Sequence, residues 1–240
     1  MNTITSIDLT EGRILLVDKP LRWTSFDAVH RIKRKLLDGI LKDNPDPAAR
    51  RSLKKKLKVG HAGTLDPLAT GLLILCTGPK TRRILEIQSQ EKEYTGTMVL
   101  GAVTPTFDLE SQPEDFRPLE GVTESIILST VEQFTGVQLQ LPPAHSAVKV
   151  DGRRAYELAR KGEPVAIKPK EVHIKVFEIT GILLPEVHFR VVCSKGTYIR
   201  SLANDFGQAM GCGAYLSALR RTRIGNYQVE EAVSPSSFDS

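Results

Sequence analysis

Residues 59–78 constrain the fold most, because they join a turn-rich loop to an apolar run. The run at 72–76 is purely apolar and lies between glycines, which predicts a short buried strand. The loop before it carries one acid, Asp66, and Pro67 disfavours a helical backbone at that acid. The sequence therefore predicts a carboxylate held rigidly at the rim of a sheet, where a ligand can approach closely.

Two interpretations of Asp66 are open from its local chemistry. An aspartate before a proline is common in turns, where its side chain often bonds its own backbone. The alternative is a catalytic carboxylate, positioned by glycines that permit positive φ or close backbone approach.

A longer pattern around Asp66 resembles the signature loop of the TruB family of tRNA pseudouridine synthases, a G-H-x-G-x-L-D-P-x-A-T-G run. The matching positions are Gly60, His61, Gly63, Leu65, Asp66, Pro67, Ala69, Thr70 and Gly71. The resemblance implies that Asp66 is catalytic. It also implies an α+β class and the pseudouridine synthase fold, with a mixed, mostly antiparallel sheet flanked by helices.

Composition narrows the class of protein only in part. The 240 residues carry a formal net charge of +5, which fits a nucleic-acid partner but is weak alone. Three cysteines without C-x-x-C spacing and five scattered histidines predict no metal site. The N-terminus lacks a secretory signal and no apolar run has membrane-spanning length, so we expect a cytoplasmic protein.

Lys19 follows a predicted strand at 13–17, within the run Asp18-Lys19-Pro20. On local grounds it is a solvated turn lysine. The run also resembles the family's D-K-P motif, which borders the active site, so the resemblance implies that Lys19 supports the site without doing chemistry. A helix is predicted over 25–37, with Ser25 as its N-cap.

A basic insertion occupies about residues 39–58 and is longer than we expect for the family. It is either a solubilising face or an arm that contacts phosphates. Its candidate RNA-binding residues are Arg50, Lys54 and Lys55.

Tyr94 lies near the start of a predicted strand at 93–100, whose residues alternate in the manner of a strand. It could be an ordinary half-buried strand aromatic. The K-E-Y-T run resembles the family's K-x-Y segment, whose tyrosine lies against the target uracil, and an unstacked base needs such a face. Further along, Thr123 is predicted to cap a helix at 124–134.

A basic segment covers about residues 140–163 and contains a tight Asp151-Gly152 turn and a short helix. It is either a basic surface hairpin and helix or, by resemblance, the flexible thumb that clasps RNA. Its candidate RNA-binding residues are Lys149, Arg153, Arg154, Arg160 and Lys161.

The C-S-K-G-T-Y-I-R run at 193–200 is a second family resemblance. It follows two predicted strands at 171–180 and 186–193 and opens a helix, with Thr197 as a plausible cap. A cationic Arg200 in the first turn opposes the helix dipole, which a facing carboxylate would repair. The resemblance implies that this carboxylate is Asp66, and that Tyr198 shares with Tyr94 the task of receiving the base.

The L-R-R-x-x-x-G pattern at 219–225 is the last match. By resemblance, Leu219 forms an apolar wall against the base and His61 braces the space that the base leaves. We expect a single catalytic domain over residues 1–240, without the C-terminal RNA-binding domain of longer family members.

The function implied is conversion of the tRNA T-loop uridine at position 55 to pseudouridine, without cofactor or metal. The expected partner is the T arm of tRNA, not a membrane, and the expected state is a monomer. The alternatives are a synthase that modifies another RNA, a non-catalytic RNA-binding or chaperone protein, and an aspartate-dependent hydrolase. The hydrolase would need metal ligands or P-loop spacing, which the sequence lacks.

Overall fold

The computed structural model describes residues 11–42, 46–150 and 152–235. These residues divide into two compact units. The first unit comprises Met1–Gln90 with Arg220–Ser240, and the second comprises Glu91–Leu219.

The first unit begins with three strands and three helices, and a 3-10 helix at Gly78–Arg83 joins its third strand to its third helix. In chain order they are β1 (Ile14–Lys19), α1 (Ser25–Lys42), α2 (Pro47–Lys56), β2 (Val59–His61), β3 (Ala69–Thr77) and α3 (Ile84–Ser89).

Strand β3 is the core strand of this unit, and its residues are buried except at Thr70. It pairs antiparallel with β1, which places Lys19 opposite Gly71, and antiparallel with β2. The predicted buried strand at 72–76 is thereby confirmed, and it leads directly out of the loop that carries Asp66.

The second unit contains most of the remaining strands and three helices. In chain order they are β4 (Lys92–Leu100), α4 (Glu124–Glu132), β5 (Gly136–Gln140), β6 (Lys149–Val150), β7 (Arg153–Arg154), α5 (Ala155–Ala159), β8 (Lys170–Leu183), β9 (Glu186–Cys193) and α6 (Ile199–Ala209). Strand β10 (Ala214–Ile224) begins in the second unit and ends in the first, which also holds β11 (Tyr227–Gln228) and a 3-10 helix at Val229–Glu231.

The sheet of the second unit has the order β10-β4-β9-β8-β5. The β4–β9, β8–β9 and β5–β8 pairs are antiparallel. Gly96 in β4 allows close packing, because an added Cβ would lie 2.6 Å from the Phe189 ring and 2.7 Å from the Ala218 carbonyl oxygen. Phe177 packs edge-on against both Phe189 and Phe206. The predicted α+β class, with a mostly antiparallel sheet, is confirmed.

Helix caps test the local reading of the sequence. Thr123 does cap α4, since its side chain accepts a hydrogen bond from the Ile126 amide. Ser25 is wrong as a cap: α1 starts at Ser25, and the Thr24 hydroxyl accepts from the Asp27 amide instead. The helix also continues beyond the predicted end at 37, because an interior glycine costs only about 1 kcal/mol.

Thr197 is also wrong as a cap. Its hydroxyl donates to the Ser194 carbonyl, and Tyr198 occupies the N-cap position of α6 without a side-chain cap bond. The hydroxyl is satisfied by the turn before the helix, so it is not directed at the amides of the first helical turn.

Candidate active site

Asp66 lies half-buried in the irregular segment between β2 and β3. Its carbonyl accepts from the Ala69 amide at 3.1 Å, which closes a turn directly before β3. The next carbonyl, that of Pro67, accepts from the Arg22 amide at 2.8 Å. Gly63, near the start of the loop, has φ +106°, a conformation that favours glycine. Any other residue would strain the backbone at this position.

Lys19 is completely buried, so the local interpretation as a solvated turn lysine is wrong. Its ammonium donates to the carbonyls of Pro20 at 3.0 Å, Trp23 at 2.6 Å and Pro67 at 3.3 Å. Burial lowers the pKa of Lys19 to about 8, and the Asp66 carboxylate opposes part of that shift. Lys19 therefore holds the residue next to Asp66 and places a positive charge beside its carboxylate.

The buried ammonium should make stability depend on pH between about 8 and 10.5. Folded Lys19 loses its proton near pH 8, whereas an unfolded lysine keeps it up to its ordinary pKa of 10.5. Unfolding takes up a proton in this window, so the contribution of Lys19 to the free energy of unfolding rises with pH, by about 3 kcal/mol. Denaturant titrations of the native protein and of Lys19→Met should diverge across the window, and a constant difference would contradict the assignment.

Ser25 is bonded to the loop that carries Asp66, and His61 comes directly before that loop in the chain. The Ser25 hydroxyl accepts from the Leu65 amide at 2.8 Å and donates to the Leu65 carbonyl at 3.1 Å. His61 ends β2, opposite Leu75. Burial, and then the charge of Arg221, hold the pKa of His61 below its ordinary 6.5, so its imidazole is neutral at pH 7. Lys19, His61 and Asp66 thus belong to the same compact unit, and Lys19 and His61 adjoin the loop that carries Asp66.

Tyr94 and Leu219 lie in the sheet of the second unit. Tyr94 is the third residue of β4, opposite Val191, and only 8% of it is exposed. Leu219 is half-buried in β10. Tyr94 thus lies in the sheet, as predicted for a strand aromatic.

Arg200 is the second residue of α6 and is 5% exposed. Its guanidinium donates to the carbonyls of Thr106 at 3.0 Å and His145 at 3.1 Å. Nε lies 3.5 Å from an oxygen of Asp108, a carboxylate of the same unit. The predicted pairing of Arg200 with Asp66 stays a prediction.

Asp108 was missed in the sequence. It is 4% exposed, and its carboxylate also accepts from the Glu110 amide at 3.0 Å. It lies in a proline-rich stretch without apolar periodicity, which predicts only a surface turn. The one available signal was a fixed cation, Arg200, that needed a partner.

Gln140 is a second residue that the sequence did not single out. It is buried at the end of β5, where its side chain accepts from the Tyr198 amide at 2.7 Å and donates to the Tyr198 carbonyl at 3.0 Å. Ser201 donates to the Leu141 carbonyl at 2.8 Å. The start of α6 is therefore bound to the base of the 140–163 segment.

The 140–163 segment contains the predicted hairpin and short helix. Lys149 and Arg154 are opposite each other in the β6–β7 pair, and Asp151 of the predicted turn lies outside the described residues. Arg153 forms an exposed ion pair with Glu163 at 3.1 Å. The cations are thus displayed on the surface of the segment.

The other predicted RNA-binding cations are exposed where they are described. Arg160 lies 5.4 Å from the centre of the Tyr156 ring, and Lys161 is exposed. In the 39–58 insertion, Lys55 is an exposed residue of α2. The side chains of Arg50 and Lys54 lie outside the described residues.

In residues 11–42, 46–150 and 152–235, no cluster of three or more His, Cys, Asp or Glu side chains could hold a metal ion. Within the same described ranges, the helices are too short or too polar to span a membrane.

Family profiles and relatives match nearly the whole chain. The TruB family pseudouridylate synthase N-terminal domain matches residues 50–199, and the tRNA pseudouridylate synthase B C-terminal domain matches residues 200–239. The tRNA pseudouridine synthase B of Flavobacterium johnsoniae is 51% identical, over 98% of each chain. The protein of the same name from Phocaeicola vulgatus is 48% identical, over 97% of this chain and 94% of its own.

Solved structures agree with this assignment. The Cbf5-Nop10-Gar1 complex contains a chain with TM-score 0.67 and 29% identity, and the archaeal box H/ACA Nop10-Cbf5 complex contains one with TM-score 0.65 and 26% identity. They cover 94% and 98% of this chain, which spans about half of theirs, 53% and 56%. On the profiles and the full-length relatives together, this chain belongs to the TruB family of pseudouridine synthases.

Proposed function

We propose that this protein is a tRNA pseudouridine synthase that converts the T-loop uridine at position 55 to pseudouridine. The observation that carries the proposal is the anchored acid of the signature loop. Asp66 lies between Leu65, which is bonded to Ser25, and Pro67, which is bonded to Lys19. Full-length relatives bear the name of this activity.

The reaction breaks the bond between N1 of uracil and C1′ of the ribose, turns the base, and joins C5 to C1′. N1 gains a proton and C5 loses one, so the reaction needs no oxidant, reductant or phosphate donor. Asp66 acts either as a nucleophile towards the sugar or the ring, or as a base that removes a sugar proton. Both routes use the carboxylate form of Asp66, beside which Lys19 places a positive charge.

The remaining residues serve the displaced base in this proposal. Extrusion from the stack costs a few kcal/mol, which an aromatic face and an apolar wall can offset. Tyr94 and Tyr198 receive the uracil, one of them assists the loss of the C5 proton, and Leu219 packs against the ring. His61, as a neutral imidazole, braces the vacated space. Arg200, whose guanidinium is always cationic, orients the carboxylates near it.

The exposed cations of the 140–163 segment are proposed to hold the T arm. Each phosphate neutralised on an RNA duplex contributes to a salt-dependent affinity. We propose the same role for the 39–58 insertion, and a monomer that is a single catalytic domain and works in the cytoplasm without metal or cofactor.

Nucleotide mapping of pseudouridine in bulk tRNA tests the proposal directly. After treatment with this protein, unmodified tRNA transcripts should contain one pseudouridine, at position 55. A transcript with cytidine at that position is the matched control and should acquire none there. Modification confined to other positions or other RNAs would support the related-synthase alternative, and tight binding without any modification would support the RNA-binding or chaperone alternative.

A further inference from the structure

Arg221, in β10, is the largest fully buried side chain of the described residues, with 1% of it exposed. All the hydrogen bonds of its guanidinium within that part of the chain are to backbone carbonyls. Nε donates to Leu72 at 2.8 Å, and the two terminal nitrogens donate to Thr64 at 3.4 Å and Gly63 at 3.0 Å. One side chain thus joins β3 to the start of the loop that carries Asp66.

A buried guanidinium is unfavourable unless its donors are satisfied, because it leaves water with its charge. A chain that needed only packing at this position could use an apolar residue of similar volume. The planar fork of arginine can bond several carbonyls at fixed angles, which a lysine ammonium cannot reproduce. The use of arginine here therefore points to a requirement for the geometry of Gly63 and Thr64.

The neighbouring Arg220 shows that this arrangement is specific to one position. Successive strand residues face opposite sides of a sheet. Arg220 accordingly donates to both carboxylate oxygens of Asp18, at 2.9 and 2.7 Å, and remains partly exposed. The two adjacent arginines thus form a natural pair, one bonded to a carboxylate and one bonded to the loop.

The backbone around Arg221 is also closely packed. Gly71 has φ +98°, and a Cβ there would collide with the Arg221 carbonyl and amide. At Gly63 an added Cβ would lie at an ordinary contact distance, 3.6 Å, from Arg221 Nη1, so it is the φ of +106° that favours glycine there. Arg221 therefore reaches the loop from a strand whose own position is fixed.

We propose that Arg221 is a positioning residue for Asp66, which fixes the start of the catalytic loop while Ser25 and Lys19 fix its remainder. The proposal rests on the proposed function for its kinetic consequence. Arg221 acts through the carbonyls of Gly63 and Thr64 and touches no reacting atom. Together the three side chains hold residues 63, 64, 65 and 67, and leave Asp66 between anchored neighbours.

Arg221→Lys and Arg220→Lys form the matched pair of variants for a test. Each substitution keeps the positive charge and replaces a planar guanidinium with an ammonium. Single-turnover rates and KM are measured on a T-arm RNA hairpin, and hydrogen exchange is measured on peptides that cover residues 62–69. We expect Arg221→Lys to lower the rate constant of the chemical step by about 10- to 100-fold, since a displacement near 1 Å can have that effect. KM should change less than about twofold, because substrate contacts elsewhere are intact.

Hydrogen exchange separates this proposal from the proposed function. Arg221→Lys should raise exchange in peptides 62–69, and Arg220→Lys should leave both that exchange and the rate constant at native values. A native rate constant in Arg221→Lys, or unchanged loop exchange, would overturn the positioning role, as would equal losses in the two variants. If the native protein itself forms no pseudouridine, the proposed function fails, and the exchange comparison still decides whether Arg221 holds the loop.

Discussion

Replacement of Asp66 by asparagine is expected to abolish turnover while RNA binding is retained. The amide has the shape of the carboxylate but can act neither as a nucleophile nor as a base at neutral pH. Loss of such a group lowers a rate by about 10²- to 10⁴-fold or more. Tritium release from C5-labelled tRNA under single-turnover conditions measures the chemistry, and a filter-binding assay measures the affinity.

Glu86→Gln is a suitable control for Asp66→Asn. Glu86 lies in α3 of the same unit and forms an exposed ion pair with Arg83 at 2.6 Å. It should leave tritium release unchanged. Turnover of Asp66→Asn near the native value would remove Asp66 from its catalytic role and favour a binding protein.

Arg200→Lys should be nearly as severe, with a loss of about 10²- to 10³-fold in the rate of the chemical step. The ammonium of lysine cannot bond the carbonyls of Thr106 and His145 together and still face Asp108. The predicted interaction with Asp66 would be lost with the same change. Single-turnover tritium release and RNA affinity, measured side by side, separate a chemical defect from a binding defect.

A second arginine of the same unit provides the comparison for Arg200. Arg190 in β9 bonds Glu93 at 3.1 Å and Glu178 at 3.0 Å on the surface, where ion pairs contribute little. Arg190→Lys should therefore remain active. If both lysine variants have native rates, the buried guanidinium of Arg200 is not needed for the chemistry.

The elements that the sequence predicted well are those with a local cause. Alternation of apolar residues located β8 and β9, and the threonine before α4 located its start. Ser25 misled the local reading, because its hydroxyl bonds Leu65, which lies 40 residues away along the chain. A side chain that is satisfied by a tertiary contact has the same sequence signature as one that caps a helix.

The same distinction between local and distant causes applies to the residues of the candidate site. Asp66, Tyr94, Tyr198 and Arg200 were identified through motifs that surround them in the sequence. Asp108 and Gln140 were not, since each is defined by a partner on a distant segment. The burial of Lys19 was also unpredictable, because charged residues in turns are usually exposed.

The hydrogen bonds from Arg221 to the Asp66 loop can form only late during synthesis. Gly63 and Arg221 are 158 residues apart, which corresponds to roughly 8 to 30 s of translation at ordinary ribosome speeds. Until then the Gly63 and Thr64 carbonyls lack their guanidinium partner, whereas Ser25 and Lys19, which bond Leu65 and Pro67, are already present. A nascent chain arrested before residue 221 would expose an unfinished loop to proteases and could not yet modify RNA, so activity should appear only when β10 has left the ribosome.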